Sequence, residues 1–307
     1  MATHFFRLLL TLLLFTYFLG CSDSEAPEFA FGVITDVHYC DHQSDGSRHF
    51  RSSLKKLKEC VNELNSKGLA FTIQLGDFID RDYESFNKVL PIFDRLNMPK
   101  YHVLGNHEFS VANEMKSAVP AKVGLEKGYY DFALKGWRFV VLNGTDIHLK
   151  RTPKGSEQYQ FAKQMYDELR KQKLPNAQKW NGALGKSQIT WLKATLEKAC
   201  QAGEKVILFC HFPIYPQGMH SLWNDIEVLN VIESYDCIIA YVNGHDHSGY
   251  YKARSGIHHL NLKGMVETPD ENSYAVFEVF PNYLKVIGYG REPDRILNFE
   301  HAVAIRN

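Results

Sequence analysis

Apolar, β-favouring runs alternate with amphipathic stretches along the first third of the chain, and each apolar run breaks into a polar cluster. Residues 29–37 read as a buried strand ending among Asp36, His38, Asp41 and His42. Leu54, Leu57, Val61 and Leu64 then recur at helical spacing with Lys and Glu between them, and Gly68 stops the run. A second buried strand, 71–75, runs into Gly76-Asp77-Phe78-Ile79-Asp80-Arg81. The helix after it carries Phe86, Val89, Leu90, Phe93 and Leu96 on one side, and a third strand, 101–104, leads to Gly105-Asn106-His107-Glu108. Strand, helix and polar loop thus come round three times. This alternation predicts βαβ units in a largely parallel α/β sheet, whose ligand sites form beyond the carboxyl ends of strands.

The pattern loosens further on. Residues 128–134 and 138–143 predict a strand pair turning at Lys135-Gly136, and Ser187 is expected to cap a helix bearing Ile189, Leu192 and Leu196. Strand 206–210 delivers His211, and strand 238–242 delivers Asn243-Gly244-His245-Asp246-His247. Runs at 256–262, 274–280 and 283–289 are expected to complete a second sheet. The stretch 146–185, rich in Lys, Gln, Asn and Pro, predicts a helix near 159–169 with a loop that either covers part of the site or is a solvated insertion.

The 307 residues suffice for one large domain or two small ones at about 150 residues each. The 45% hydrophobic and 23% charged residues exclude a disordered chain. Lys and Arg, 35 together, balance 35 Asp and Glu, so no bulk field would draw in duplex nucleic acid. The amino end is treated apart from the fold. Residues 1–20 place His4 and Arg7 before a 13-residue uncharged run, shorter than the roughly 18 residues a membrane span needs, and so predict a secretion signal. Phe18-Leu19-Gly20-Cys21 resembles a bacterial lipobox, which implies an exported lipoprotein, periplasmic or at the cell surface. Cys21 would carry the lipid, 21–28 would be a polar tether, and 29–307 a single domain; plain secretion is the alternative. The other cysteines, Cys40, Cys60, Cys200, Cys210 and Cys237, are odd in number and scattered, and most are expected to be small buried hydrophobes.

A single polar pair at a strand end is more often a turn or helix cap than a ligand. Five such clusters, each after a buried strand, are hard to explain as capping. In order, Asp36-x-His38, Gly76-Asp77-x-x-Asp80-Arg81, Gly105-Asn106-His107-Glu108, His211 and Gly244-His245-x-His247 resemble the signature of the calcineurin-like metallophosphoesterases. The resemblance implies a four-layer α/β/β/α sandwich of two mixed sheets flanked by helices. It also implies two divalent cations, one held by Asp36, His38, Asp77 and His247, the other by Asp77, Asn106, His211 and His245. Asp77 is the natural shared ligand, since a carboxylate with two oxygens can bridge. Imidazole, carboxylate and amide donors without thiolate suit Mn, Fe, Zn or Co. Such a pair acidifies a bridging water and aligns a phosphoryl group for in-line attack by the resulting hydroxide. By the same resemblance His107 pairs with Asp80, which is expected to raise the imidazole pKa and suit it to protonate a leaving oxygen.

Within that superfamily, the runs around the boxes are similar to the manganese-dependent ADP-ribose/CDP-alcohol diphosphatases. They include Phe31-Gly32-Val33-Ile34-Thr35-Asp36, Tyr101-His102-Val103-Leu104-Gly105-Asn106-His107-Glu108-Phe109, Val266-Glu267-Thr268-Pro269 and Pro293-Asp294-Arg295. Eukaryotic members often carry Gln where His38 stands, so this chain follows the general superfamily pattern there. The resemblance implies a small nucleotide-diphosphate substrate hydrolysed to two phosphomonoesters; a broader phosphomonoesterase or phosphodiesterase is the alternative. Arg81 and Arg295 are candidates for phosphate contact and Phe109 and Trp223 for stacking on a base, against surface ion pairs and core packing respectively. Glu108 and Asp246 are read as supporting residues rather than ligands. Membrane contact would come only through a lipidated Cys21, and the oligomeric state is left open.

Overall fold

The computed structural model describes residues 26–299, so the expected leader and Cys21, and all but the last three residues of the tether, lie outside the described residues. In chain order, β1 (Phe29–Ile34), α1 (Ser53–Asn65), β2 (Phe71–Gln74), α2 (Phe86–Phe93) and β3 (Lys100–His102) form the first βαβαβ run. A short α3 (Val119–Lys122) precedes the hairpin of β4 (Tyr130–Leu134) and β5 (Trp137–Val141). Next come α4 (Glu157–Lys171), α5 (Lys186–Gln201), β6 (Lys205–Phe209), α6 (Asp225–Ile232) and β7 (Ile238–Asn243). The last strands are β8 (Tyr250–Arg254), β9 (Ile257–Asn261), β10 (Ser273–Val279), β11 (Tyr283–Gly290) and β12 (Arg295–Asn298).

They form two six-stranded mixed sheets, ordered β12-β11-β10-β1-β2-β3 and β4-β5-β6-β7-β9-β8. The strands that precede the polar clusters lie parallel, β1 with β2 and β3 in one sheet and β6 with β7 in the other, so their carboxyl ends share an edge within each sheet. Between the sheets sits an aromatic core in which Phe31 stacks on Phe71 at 4.7 Å and on Phe277 at 5.0 Å. The outer face of the first sheet buries Leu57, Val61 and Leu64 of α1 and Phe86 and Phe93 of α2. That of the second buries Leu192 and Leu196 of α5 and Val228 and Ile232 of α6. The result is the α/β/β/α sandwich. Each fully buried Leu or Phe contributes about 1.5–3 kcal/mol, so the i, i+4, i+7 stripe of α1 outweighs its weak caps. Among the described residues no helix is long and apolar enough to cross a membrane.

Several expectations need correction. β10 and β11 join the first sheet rather than the second, because β10 pairs antiparallel with β1 in the register Phe31↔Phe277. Ser187 lies inside α5, whose N-cap is Gly185; it is Ser156 that caps a helix, accepting the Tyr159 N–H at the start of α4. Cys200 and Cys237 are not separate hydrophobes. The end of α5 brings them to a Cα–Cα distance of 5.3 Å at the start of β7, where they form a disulfide, leaving Cys40, Cys60 and Cys210 free and buried.

Candidate metal centre

Backbone hydrogen bonds tie the first polar loop to the second and the fourth to the fifth before any side chain is considered. Asp36 N–H donates to the Gly76 carbonyl (3.2 Å), His38 N–H to that of Asp77 (2.8 Å) and Gly244 N–H to that of His211 (3.1 Å). Asp36, His38, Asp77 and His245 all hold positive φ, between 47° and 71°, a conformation that L-residues adopt at a cost of about 1–3 kcal/mol and that clusters at functional sites. Two of the box glycines answer a steric demand: a Cβ on Gly105 would strike the Asp77 carboxylate, and one on Gly244 would strike Thr35 and Asp36.

These loops bring the seven predicted ligands into one buried cluster. The donor atoms of Asp36, His38 and His247 lie within 4.8 Å of one another, and so do those of Asp77, His211 and His245. Asp77 joins the two sets through one oxygen: Oδ2 is 3.3 Å from His38 Nε2 and 3.1 Å from His211 Nε2. Its other oxygen, Oδ1, accepts the His107 backbone N–H at 2.7 Å. Oδ2 is thus the Asp77 oxygen that stands between the two sets, while Oδ1 also holds the third loop in place. Asp36 is divided similarly. Oδ2 accepts from the Thr35 hydroxyl and the His245 N–H, and Oδ1 faces His247 at 3.3 Å and His38 at 3.5 Å.

Three of the four imidazoles spend one nitrogen on the protein and aim the other into the cluster. His211 Nδ1–H donates to the Leu75 carbonyl at 2.8 Å, His247 Nδ1–H to Glu267 at 2.6 Å, and His245 Nε2–H to Asn181 Oδ1 at 2.9 Å. Anchoring of this kind fixes the tautomer a metal needs. Asn106 is wholly buried, yet its amide oxygen and nitrogen both lack a hydrogen-bond partner in the structure. An orphaned buried amide is costly unless something else takes its lone pairs, and a hard cation does. Charge agrees. Burial would raise Asp36 and Asp77, but the surrounding histidines hold both well below the usual carboxylate range. Burial would likewise lower His38 and His211, yet the carboxylates push them up to about 10 and about 9. Positive charge is therefore strongly favoured between these acids, and the residues present fit two divalent cations.

Glu108 accepts the backbone N–H groups of Gly105, Asp77 and Phe78, holding two of the loops in register, and burial beside Asp77 raises it to about 7. Asp80 Oδ1 accepts from His107 Nδ1–H at 2.8 Å and its other oxygen lies 3.7 Å from His38. His107 is lowered to about 4 rather than raised, because burial outweighs the attraction of Asp77 and Asp80. Asp246 turns away from the cluster and pairs with His220 at 3.3 Å.

A cavity of about 380 Å³ opens over the cluster, lined by Asp77, Asn106, His107, His245 and His247 together with Arg48, Lys150, Lys179, Trp180 and His220. None of the four candidate substrate contacts lines it. Arg81 is exposed, paired with Asp45 at 3.5 Å and set over the Phe50 ring. Phe109 is buried in the helix-side core of the first sheet. Trp223 is buried, donating its indole N–H to the Gln178 carbonyl, and Arg295 pairs with Glu292 beside β12. Lys150, Lys179, Trp180 and the His245 partner Asn181 all come from the 146–185 stretch, which does cover part of the site. Nothing local in the sequence marked them, and Glu267 stood out only as part of a run similar to the diphosphatases; each acquires its place through contacts with distant loops.

The family model for calcineurin-like phosphoesterases matches residues 29–249. The chain is 32% identical to the manganese-dependent ADP-ribose/CDP-alcohol diphosphatase of Arabidopsis thaliana, over 88% of this chain and 97% of the relative. To the protein of the same name from Mus musculus it is 29% identical, over 92% and 97%. Among solved structures, a dimetal phosphatase from Danio rerio superposes with a TM-score of 0.81 at 25% identity, covering 89% of this chain and 99% of that one.

Proposed function

The chain belongs to the calcineurin-like phosphoesterase family, and from that premise we propose that it is a manganese-dependent hydrolase of nucleoside-diphosphate-linked substrates, of the ADP-ribose or CDP-alcohol type. The observation that carries this reading is the single Asp77 oxygen set between two histidine-rich donor sets, 3.3 Å from His38 and 3.1 Å from His211. Asp36, His38, Asp77 and His247 would hold one cation, and Asp77, Asn106, His211 and His245 the other. Bound there, two divalent cations acidify a water and neutralise charge on the phosphoryl oxygens in an in-line displacement. The remaining work falls to the chain. His107 projects into the cavity without belonging to either donor set, and Asp80 holds its Nδ1–H, so Nε2 is the nitrogen left for the substrate; it donates to the departing oxygen as imidazolium, the form that an anionic phosphoryl group beside it favours. The 146–185 stretch walls one side of the cavity and narrows its opening to solvent.

One water is consumed and two phosphomonoesters are released, AMP and ribose 5-phosphate in the case of ADP-ribose. The test is a matrix of Mn, Mg, Zn and Co against ADP-ribose, CDP-choline and p-nitrophenyl phosphate, using the protein from Ser22 onward. AMP release with Mn is expected to dominate; turnover of the monoester alone would replace this reading with a general phosphomonoesterase. We also propose that residues 1–20 are a leader removed on export, that Cys21 is lipidated, and that a single domain follows the tether. The Cys200–Cys237 disulfide supports an oxidising compartment. Mass spectrometry of the mature amino terminus checks this, and an unprocessed Met1 would overturn it.

A further inference from the structure

Three cationic side chains reach the cavity without a direct ion pair, although Asp77 and Asp80 act on Lys150 from a distance and Glu267 on Arg48. Arg48, Lys150 and Lys179 line it, and none of them forms an ion pair with a carboxylate among the described residues, whereas Arg51, Arg81, Arg138, Arg254 and Arg295 all do. Lys150 Nζ donates to a neutral partner, the Ser110 hydroxyl, at 3.1 Å. Ser110 in turn closes the short turn that begins at His107, its N–H donating to the His107 carbonyl at 2.9 Å. The Lys150 ammonium is thus tied to the same turn as the group assigned to the departing oxygen. Unpaired cations gathered on one concave surface are a site for an anion. Two metal ions already match the charge of one phosphoryl group, so further cations on this side serve a second.

We propose that Lys150, supported by Arg48 and Lys179, binds the phosphoryl group that is not attacked, and so selects diphosphate esters over monoesters. This rests on the diphosphatase reading and gives it a direction. Water oxygen adds to one phosphorus and gives up a proton to solvent, and the bond from that phosphorus to the bridging oxygen breaks. The bridging oxygen leaves with the second phosphoryl group, taking its proton on the His107 side, where Lys150 holds the departing monoester.

Binding to the Mn-loaded protein tests this without turnover, by comparing the Kd of α,β-methylene-ADP with that of AMP. The wild-type protein is expected to favour the diphosphonate, and Lys150→Met to narrow the Kd ratio by about tenfold or more, the effect of losing a charge-assisted hydrogen bond. Lys150→Arg should restore most of it. Lys179→Met, at an exposed position, should narrow the ratio by about threefold and serves if Lys150→Met does not fold. A ratio unchanged in a folded Lys150→Met protein, or in Lys179→Met if that is the only variant to fold, would overturn the proposal, as would a wild-type ratio near one. Absence of AMP release from ADP-ribose alongside a narrowed ratio would instead overturn the diphosphatase reading and leave the clamp standing.

Discussion

The loops after β1, β2, β3, β6 and β7 meet the cavity from below as buried backbone, while the stretch between β5 and α5 reaches it from the side with Lys179 and Trp180 exposed. Below, Asp36, His38, Asn106 and His211 have no exposed surface, and the left-handed backbone at Asp36, His38 and Asp77 is over-determined by cross-loop hydrogen bonds. Along the side wall, Trp180 is 37% exposed and Lys150 is fixed by one hydroxyl. Donor geometry that must hold to a few tenths of an ångström sits on the rigid sheet edge. Groups that need only match the outline of a substrate sit on the covering segment.

This division can be broken or sharpened by substitution. Asp77→Ala removes the shared donor and is expected to lower turnover at saturating Mn by a thousandfold or more, about 4 kcal/mol of transition-state stabilisation. Full turnover in steady-state assays would end the two-cation account. His107→Ala is expected to cost about a hundredfold to ten-thousandfold on ADP-ribose with bound Mn unchanged. A p-nitrophenyl ester, whose leaving oxygen needs no proton, should lose much less; equal losses on both would place His107 among the ligands. Asn181→Ala frees the His245 ring and should weaken Mn binding by about tenfold to a hundredfold in a metal titration, the usual size for an outer partner of a metal-bound histidine. An unchanged titration would make Asn181 a wall residue only.

The side wall should respond differently. Trp180→Ala removes the exposed ring beside His220, 6.4 Å between centroids, and is expected to raise KM for ADP-ribose about fivefold or more while kcat stays close to wild type. A fall in kcat with KM unchanged would move Trp180 from substrate binding to chemistry. The smallest effect on turnover is expected far from the cavity. Replacing Cys200 and Cys237 with Ser opens a link of sequence separation 37 and should cost about 2–4 kcal/mol in denaturant unfolding, with kcat unaltered.

Much of the buried half was legible in sequence. A strand that stops at Asp36, Asp77, Asn106, His211 or His245 has a local signature, because apolar runs and the residues after them are neighbours in the chain. The side wall had no such signature. Phe109 and Trp223 are aromatic and near the boxes, but the helix-side core claims one and the Gln178 carbonyl the other. Arg81 is spent on Asp45 and Arg295 on Glu292. Lys150 and Trp180 look like any polar insertion until the chain closes over the metal centre.

Sequence by itself determined the repeating strand, helix and loop order and the donor types that follow each strand, since each depends on residues a few positions apart. Tertiary structure decided which Asp77 oxygen stands between the donor sets, that Glu267 and Asn181 orient His247 and His245, that β10 borders β1, and that Cys200 meets Cys237. Those outcomes depend on groups brought together from distant parts of the chain. Such pairings are chosen by the summed burial of both sheets rather than by any local pattern.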